Sequence, residues 1–433
     1  MRRVCLAILL AVLTAATAGA APQTHPLLEY VQAPDSAYTW SKQSEAPGPG
    51  GSTLTRVDLT SQVWQGIPWQ HVLWICRPAK MRPGTAALLV ITGGSGRSLG
   101  EEYTLLATAA NSAGIPIAVL FGIPNQPLFD GKKEDALIAH TFLEYFRTRD
   151  QSWPLLYPMT KSAVRAMDTL QQFAAQEWQT TLPGFVVTGA SKRGWTTWLT
   201  GACDPRVLGI APMVYDNLNL GSQMRQQLAC YGGYSEQIGD YSATPLLDML
   251  TTPAGKAFAD MVDPYALRAR LKMPKLIING SNDRYWTLES ANLYFNDLPG
   301  ERRILYVPNA GHGLGNFQDV VASVLALTRA CSEKKTLPPL TWNYRETPAG
   351  LQLTIRARAP QRVSVWTATS PTTDFRDARW TEQPLAARGG RYSFTLARPT
   401  EGYAAVFGEA RVRHGEFRFP LSTTPRMLAA KAR

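Results

Sequence analysis

Short apolar runs recur at 86–92, 116–121, 184–189, 207–214, 274–280 and 302–308, separated by longer segments of helical character. Strand-length runs alternating with helices need crossover connections, so the rhythm predicts a mostly parallel, doubly wound α/β sheet covered on both faces. An alternating pair of segments over 53–76 is expected to open that sheet as an antiparallel hairpin. One helix is clear: between Pro158 and Trp178 the residues Ala163, Ala166, Met167, Leu170, Phe173 and Ala174 repeat at helical spacing and form a core-facing stripe. Residues 216–271 interrupt the rhythm, and their Met224, Tyr231, Tyr234, Tyr241 and Met249 suit a largely helical cap inserted over the strand ends. With 433 residues there is room for a second domain, and the pattern changes near Thr336. From 336 to 433 short alternating runs separated by Gly, Pro and polar turns predict a small all-β sandwich of immunoglobulin or fibronectin type III character.

The third run leads into a serine. Gly189-Ala-Ser191-Lys-Arg-Gly-Trp195 passes from β-branched residues into a helix-compatible segment one residue after Ser191. A serine on a sharp strand-to-helix turn exposes Oγ above the sheet and aims the next backbone N–H at the same space, as in the nucleophile elbow of α/β-hydrolases. Gly189 supplies a neighbour with no side chain to collide with that turn. The usual spelling is GxSxG, whereas here position 193 is Arg and the second glycine is Gly194. Because strand-to-helix serines without chemistry are common, the rest of the chain has to supply an acid and a base in the right order.

There are five histidines. His25 lies in the amino-terminal extension, His71 inside an apparent strand, His140 in a helical stretch and His414 in the carboxy-terminal region. His312 instead follows the sixth run within Asn309-Ala-Gly-His312-Gly-Leu-Gly315, a loop whose glycines leave an imidazole free to reach a serine. Asp283 follows the fifth run in the same way, within Ser281-Asn-Asp283-Arg-Tyr-Trp286. The order Ser191, Asp283, His312 is that of an α/β-hydrolase triad, in which the carboxylate holds the imidazole tautomer and stabilises the imidazolium. Two alternatives stay open: Asp283 as the cap of a helix near Thr287, and Asp216, after the fourth run, as the acid.

An oxyanion hole requires two preorganised N–H donors, and the amide of Lys192 is the expected first. The second is expected from Gly93 and Gly94, in a glycine-rich loop after the most apolar run. That loop matches neither GxxxxGK[ST] nor GxGxxG, so a phosphate cradle is not expected. Trp195, Tyr215, Tyr285 and Trp286 lie beside these turns; such rings stack on a carbohydrate or an aromatic acyl group, and equally serve as core. Arg193 either binds a carboxylate or phosphate of the substrate or pairs with a structural acid.

Met1-Arg2-Arg3, the apolar stretch 4–13 and Ala18-Gly19-Ala20 read as a secretory signal peptide over 1–20, which makes the protein exported, periplasmic or secreted. The α/β unit then covers 21–335. No later segment approaches the roughly 20 apolar residues of a transmembrane helix. Cys5 leaves with the leader; Cys76, Cys203, Cys230 and Cys331 form disulfides, with Cys203–Cys230 the expected pair, or stay as buried thiols. Without a CxxC or a clustered His/Cys set, neither a metal nor another cofactor is expected. Of the net charge of +11, residues 336–433 supply +8, from 15 Lys or Arg against 7 Asp or Glu. A basic sandwich suits an anionic surface such as lipid head groups or acidic polysaccharide, and its alternating charges equally describe a solvated face. Nucleic acid is not an expected partner.

Three strings carry a family resemblance: Trp153-Pro-Leu-Leu-Tyr-Pro-Met-Thr-Lys-Ser-Ala-Val-Arg-Ala-Met-Asp168, Gly189-Ala-Ser-Lys-Arg-Gly-Trp-Thr-Thr-Trp198 and Asn279-Gly-Ser-Asn-Asp-Arg-Tyr-Trp286. They resemble the PhoPQ-activated pathogenicity-related protein family, exported bacterial proteins with an α/β-hydrolase domain, over most of the chain beyond the leader. The resemblance implies that fold and an association with virulence, without a settled substrate. The elbow spelling is also similar to that of glucuronoyl esterases, which implies carbohydrate-ester chemistry. The expectation is an exported serine hydrolase, esterase or peptidase, acting on a small-molecule, peptide or carbohydrate substrate. The alternative is a non-catalytic binding protein on a hydrolase scaffold that recognises an anionic envelope component.

Overall fold

The computed structural model describes residues 25–431 other than Leu99 and Glu101; the expected leader, 1–20, lies outside them, and with it Cys5. After a short helix, Pro26–Gln32, the chain forms three antiparallel strands, β1 (Thr39–Pro47), β2 (Thr53–Trp64) and β3 (Ile67–Arg77). Gln65 and Gly66, both at positive φ, make the tight turn between β2 and β3 whose twist matches that of the strands.

The apolar runs become β4 (Ala87–Ile91), β5 (Ile117–Leu120), β6 (Phe185–Ala190), β7 (Val207–Met213), β8 (Lys275–Gly280) and β9 (Arg302–Val307). They pair in parallel in the spatial order 5-4-6-7-8-9, and β3 joins antiparallel to β5. These strands are apolar along their length because both faces are covered. Helices Leu156–Glu177 and Lys192–Cys203 pack on one face, with the predicted stripe buried; Glu102–Ala113 and Phe317–Ser332 pack on the other. β4 lies between β5 and β6, so the sheet reverses its direction of growth there. A crevice opens at the carboxyl ends of neighbouring strands at such a point, and open α/β sheets bind ligands there. The loop with Gly93 and Gly94 follows β4, and Ser191 follows β6. Residues 216–271 are largely helical as expected, through Leu220–Tyr231, Gly239–Ser242, Leu246–Met249 and Pro253–Val262. No helix among the described residues is long and apolar enough to cross a membrane.

The strands expected after Thr336 form as β10 (Leu340–Thr347), β11 (Gly350–Ala357), β12 (Arg362–Ser370), β13 (Thr381–Pro384), β14 (Tyr392–Ala397), β15 (Tyr403–His414), β16 (Phe417–Ser422) and β17 (Arg426–Ala429). They differ from a separate sandwich in one respect. Strand β16 pairs with β9 at Ser422 and Ile304, so β16, β15, β12 and β13 prolong the central sheet, while β10, β11 and β14 form a second one. Ser422 Oγ accepts the Tyr306 N–H at 2.7 Å, and Phe407 packs on the Tyr306 ring. The edge of β9 would otherwise expose unpaired backbone groups. Alternation within a strand reveals its two faces, not the neighbour it joins.

Candidate active site

Ser191 stands between β6 and the helix Lys192–Cys203 with φ 58° and ψ −126°. For a residue with a side chain such a conformation costs of order 1–3 kcal/mol and persists only where its surroundings over-determine it. Here the Ser191 N–H donates to Met213 O at 2.9 Å, and Ser191 O accepts from Trp195 N at 3.0 Å. A Cβ on Gly189 would lie 2.8 Å from the carbonyl oxygen of Arg193, and one on Gly194 would lie 2.7 Å from that of Met213. The irregular spelling therefore has a packing cause: the helix needs its glycine at 194, where it meets β7, and position 193 is free to carry a long side chain.

That side chain is committed. The two terminal nitrogens of Arg193 each donate to one oxygen of Glu134 at 2.7 Å, and Nε donates to Ile123 O at 2.5 Å. Lys192 Nζ lies 2.8 Å from Glu134 and 3.0 Å from Asp135, which also accepts from the Tyr241 hydroxyl of the cap at 2.9 Å. Burial opposes the charge on Glu134, but hydrogen bonds from Arg193 and Lys192 outweigh it and hold the carboxyl down at about 2. Of the two expectations for Arg193, pairing with a structural acid is the one realised, and its guanidinium does not line the cavity at Ser191. It abuts Gly93, where a Cβ would meet the guanidinium and force it to shift. Gly94, at φ 74°, faces a neighbouring polar cleft lined also by Arg56, Gln70 and Lys133.

His312 Nδ1 lies 2.9 Å and 3.1 Å from the two oxygens of Asp283. Asp283 is buried and also accepts from Tyr285 N at 2.9 Å, so its carboxylate is held from two directions. The acid and base loops are zipped together: Asn282 N donates to Ala310 O at 2.9 Å, and Asn309 N donates to Ser281 Oγ at 2.9 Å. Gly280 leaves room for the carbonyls of Ala310 and Gly311. The Tyr285 ring stacks on the imidazole, with centroids 4.1 Å apart. His312 Nε2 is buried with no hydrogen-bond partner among the described residues, so the nitrogen remote from Asp283 is available.

The rival acid has other partners. Asp216 accepts from the hydroxyls of Tyr294 at 2.5 Å and Tyr306 at 2.9 Å; burial pushes its carboxyl up to about 7 despite these bonds. His71 is equally occupied, between Ser61 Oγ at 3.0 Å and Gly122 O at 3.2 Å, and burial pushes it down to about 4.

Ser191 and Lys192 line a largely apolar cavity of about 80 Å³ together with Trp195, Tyr215, Tyr285 and Trp286, the four rings singled out in the sequence. Since one water needs ~10–15 Å³ on the same measure, there is room for a small ring or a short chain. Trp195 and Tyr215 stack at 4.9 Å, and the indole N–H groups of Trp195 and Trp286 are tied to Val262 O and Val214 O. Sequence reasoning missed Asp135, Phe142 and Asn217, which also line it. Glu134 and Asp135 read as the acidic first turn of a helix, a pattern that helix polarity alone explains. The expected Cys203–Cys230 disulfide is corrected: all four cysteines are thiols. Cys203 ends the helix that follows Ser191, where burial pushes its thiol up to about 12, and Cys230 belongs to the helix Leu220–Tyr231. Among the described residues no group of three or more His, Cys, Asp or Glu is arranged to hold a metal ion.

The profile of a family described as PhoPQ-activated pathogenicity-related protein matches residues 27–376. A protein of Dictyostelium discoideum named autocrine proliferation repressor protein A is 32% identical over 427 residues, covering 89% of this chain and 85% of that one. Among solved structures, acetyl xylan esterase 1 from Thermoanaerobacterium sp. gives a TM-score of 0.49 at 14% identity, over 70% of this chain and 91% of that one. A glucuronoyl esterase from Solibacter usitatus gives 0.46 at 12% identity, over 70% and 91%.

Proposed function

The chain belongs to the PhoPQ-activated pathogenicity-related protein family, and we propose that it is an exported serine hydrolase that cleaves an ester or amide bond with Ser191, His312 and Asp283. The observation that supports this is the His312–Asp283 pair on the loops after β8 and β9, together with a serine held at positive φ after β6, all at the carboxyl ends of parallel strands of one sheet. Ser191 Oγ attacks the substrate carbonyl while His312 Nε2 takes its proton. Asp283 keeps the Nδ1–H tautomer and stabilises the imidazolium, which then protonates the leaving group; water completes the cycle by the same route. The amide of Lys192, in the open first turn of its helix beside the cavity, holds the oxyanion. Pairing of Lys192 Nζ with Glu134 and Asp135 supports this by keeping the residue that carries the amide in place.

The apolar cavity suits a compact apolar acyl group, with an aromatic ring able to meet Trp195 and Tyr215. The leaving group is the alcohol or amine of a small molecule, peptide or carbohydrate. Export rests on the leader, and a virulence-related envelope setting on the family. Arg362, Arg376, Arg398, Arg411 and Arg426 each pair with a carboxylate, so part of the basic charge of 336–433 is met within the fold.

A fluorophosphonate probe tests the proposal. Folded wild-type protein is expected to be labelled at Ser191, and Ser191→Ala to escape labelling and to lower kcat on p-nitrophenyl esters by about 10⁴–10⁶. An unlabelled, inert wild-type protein would sink the enzyme and leave the binding protein in its place.

A further inference from the structure

The acid and base loops are gripped from the far end of the chain. Residues 371–380, between β12 and β13, lie over the loop that follows β8. Asn282, next to Asp283, donates Nδ2 to the carbonyls of Ala378 at 2.6 Å, Arg376 at 3.2 Å and Phe375 at 3.3 Å. Asn309, three residues before His312, exchanges two bonds with the backbone of Trp380: Oδ1 accepts its N–H at 2.8 Å, and Nδ2 donates to its carbonyl at 3.0 Å. On the other side of Asp283, Arg284 pairs with Asp377 at 2.7 Å and with Glu236 of the cap at 3.1 Å. Arg376 reaches the same Glu236 at 2.7 Å and lies over the ring of Tyr231 at 4.1 Å. The segment is itself fixed, Arg376 by Asp374 at 2.6 Å and the buried Trp380 against Phe375 and Phe407.

We propose that 371–380 belongs to the active site, as a clamp in which Asn282 and Asn309 are positioning residues for the Asp283–His312 pair. The clamp rests on Asp283 and His312 being the acid and base of the proposed hydrolase. A relay of this kind works only with its members held within ~0.5 Å of the productive geometry, and a misplacement of about 1 Å costs about a hundredfold. The loops that carry the pair are rich in glycine, at Gly280, Gly311, Gly313 and Gly315, which by itself leaves them loose. Amide-to-backbone bonds supply the missing stiffness. Packing of a connecting segment against neighbouring loops does not by itself require this, since apolar contact satisfies it. Here the two asparagines flanking the relay are the residues engaged, one with three acceptors and one as both donor and acceptor. Asn309 sits at φ 55°, a conformation that asparagine tolerates better than most residues.

The test uses the chain without its leader, p-nitrophenyl acetate as substrate, and thermal melting in parallel. Asn282→Ala and Asn309→Ala are expected to lower kcat by about ten- to a hundredfold with little change in KM. They are also expected to move the acidic limb of kcat/KM to lower pH, because an imidazolium with a poorly placed carboxylate loses its proton more readily. Asn309→Asp keeps the acceptor for Trp380 N–H and is expected to recover part of the loss. A purely structural role would lower the melting temperature without moving that limb. Folded alanine variants with wild-type kcat and pH profile would overturn the clamp. If Asn282→Ala does not fold, Asn309→Ala and Asp377→Ala decide, with a shift in the same direction expected and an unchanged profile counting against the clamp. Fluorophosphonate labelling separates the two failures: an unlabelled wild type defeats the hydrolase itself, whereas a labelled wild type with unaltered variants defeats only the clamp.

Discussion

The turn of Ser191 and the loops of Asp283 and His312 are held by different mixtures of charge and neutral hydrogen bonds. On the elbow side, Lys192 and Arg193 are anchored by charge, through Glu134 and Asp135. At the loops of Asp283 and His312, bonds from Asn282 and Asn309 to backbone carbonyls and bonds between the loops themselves act beside the ion pairs of Arg284 with Asp377 and Glu236. The difference follows from what each side holds. Ser191 sits in a strained turn, which calls for strong charge-assisted bonds close by. Charge dominates beside Ser191; at the loops of Asp283 and His312, amide-to-backbone bonds share the task with it.

This contrast predicts losses of different kind and size. Asp283→Asn breaks the relay while leaving the elbow intact, and kcat on p-nitrophenyl acetate is expected to fall by about 10⁴ with little change in melting temperature. A comparable loss of stability would break the contrast.

Glu134→Ala should do the reverse, showing first as stability. It leaves two buried cations with Asp135 alone, and a cost of about 2 kcal/mol is expected in urea unfolding, less than the ~3–5 of a fully buried pair because the Glu134 side chain is 41% exposed. Since Glu134 is held at about 2 against an ordinary 4.5, its contribution is present above pH 4.5 and lost as pH falls through about 2. The gap between wild type and variant is therefore expected to close over that window; a gap unchanged down to pH 2 would mean that charge is not the anchor.

Asp216→Asn should have the smallest effect on turnover, because this acid faces Tyr294 and Tyr306 and not a histidine. Its effect on stability has the opposite sign. With a folded value of about 7 against an ordinary 3.8, the stability Asp216 contributes is present below pH 3.8 and lost as pH rises through about 7. The variant is expected to gain on wild type between those limits in urea midpoints measured across pH. A fall in kcat matching that of Asp283→Asn would instead make Asp216 the acid.

Much of the framework was legible in the sequence because it depends on neighbours along the chain. The strand rhythm, the hairpin over 53–76, the stripe in Leu156–Glu177 and the glycines around Ser191 and His312 are local patterns, and all of them form. What escaped was set by distant groups. Glu134 and Asp135 carry no sign that they will meet residues nearly sixty positions later, and nothing in 371–380 marks it as the partner of Asn282 and Asn309. The choice between Asp283 and Asp216 was equally hidden, since both follow parallel strands.

By itself, then, the sequence determined which residues end each parallel strand, and hence that Ser191, Asp283 and His312 all emerge on the carboxyl side of one sheet. Turn chemistry and side-chain period act over a few residues, so they are written into the order of amino acids. Only the tertiary structure decided that Arg193 serves Glu134, that the cysteines stay apart, and that the last strands extend the central sheet and reach back over the site. Those outcomes depend on which surfaces are left to bury and which charges and backbone groups still lack a partner once the sheet has closed, and both are properties of the packed whole.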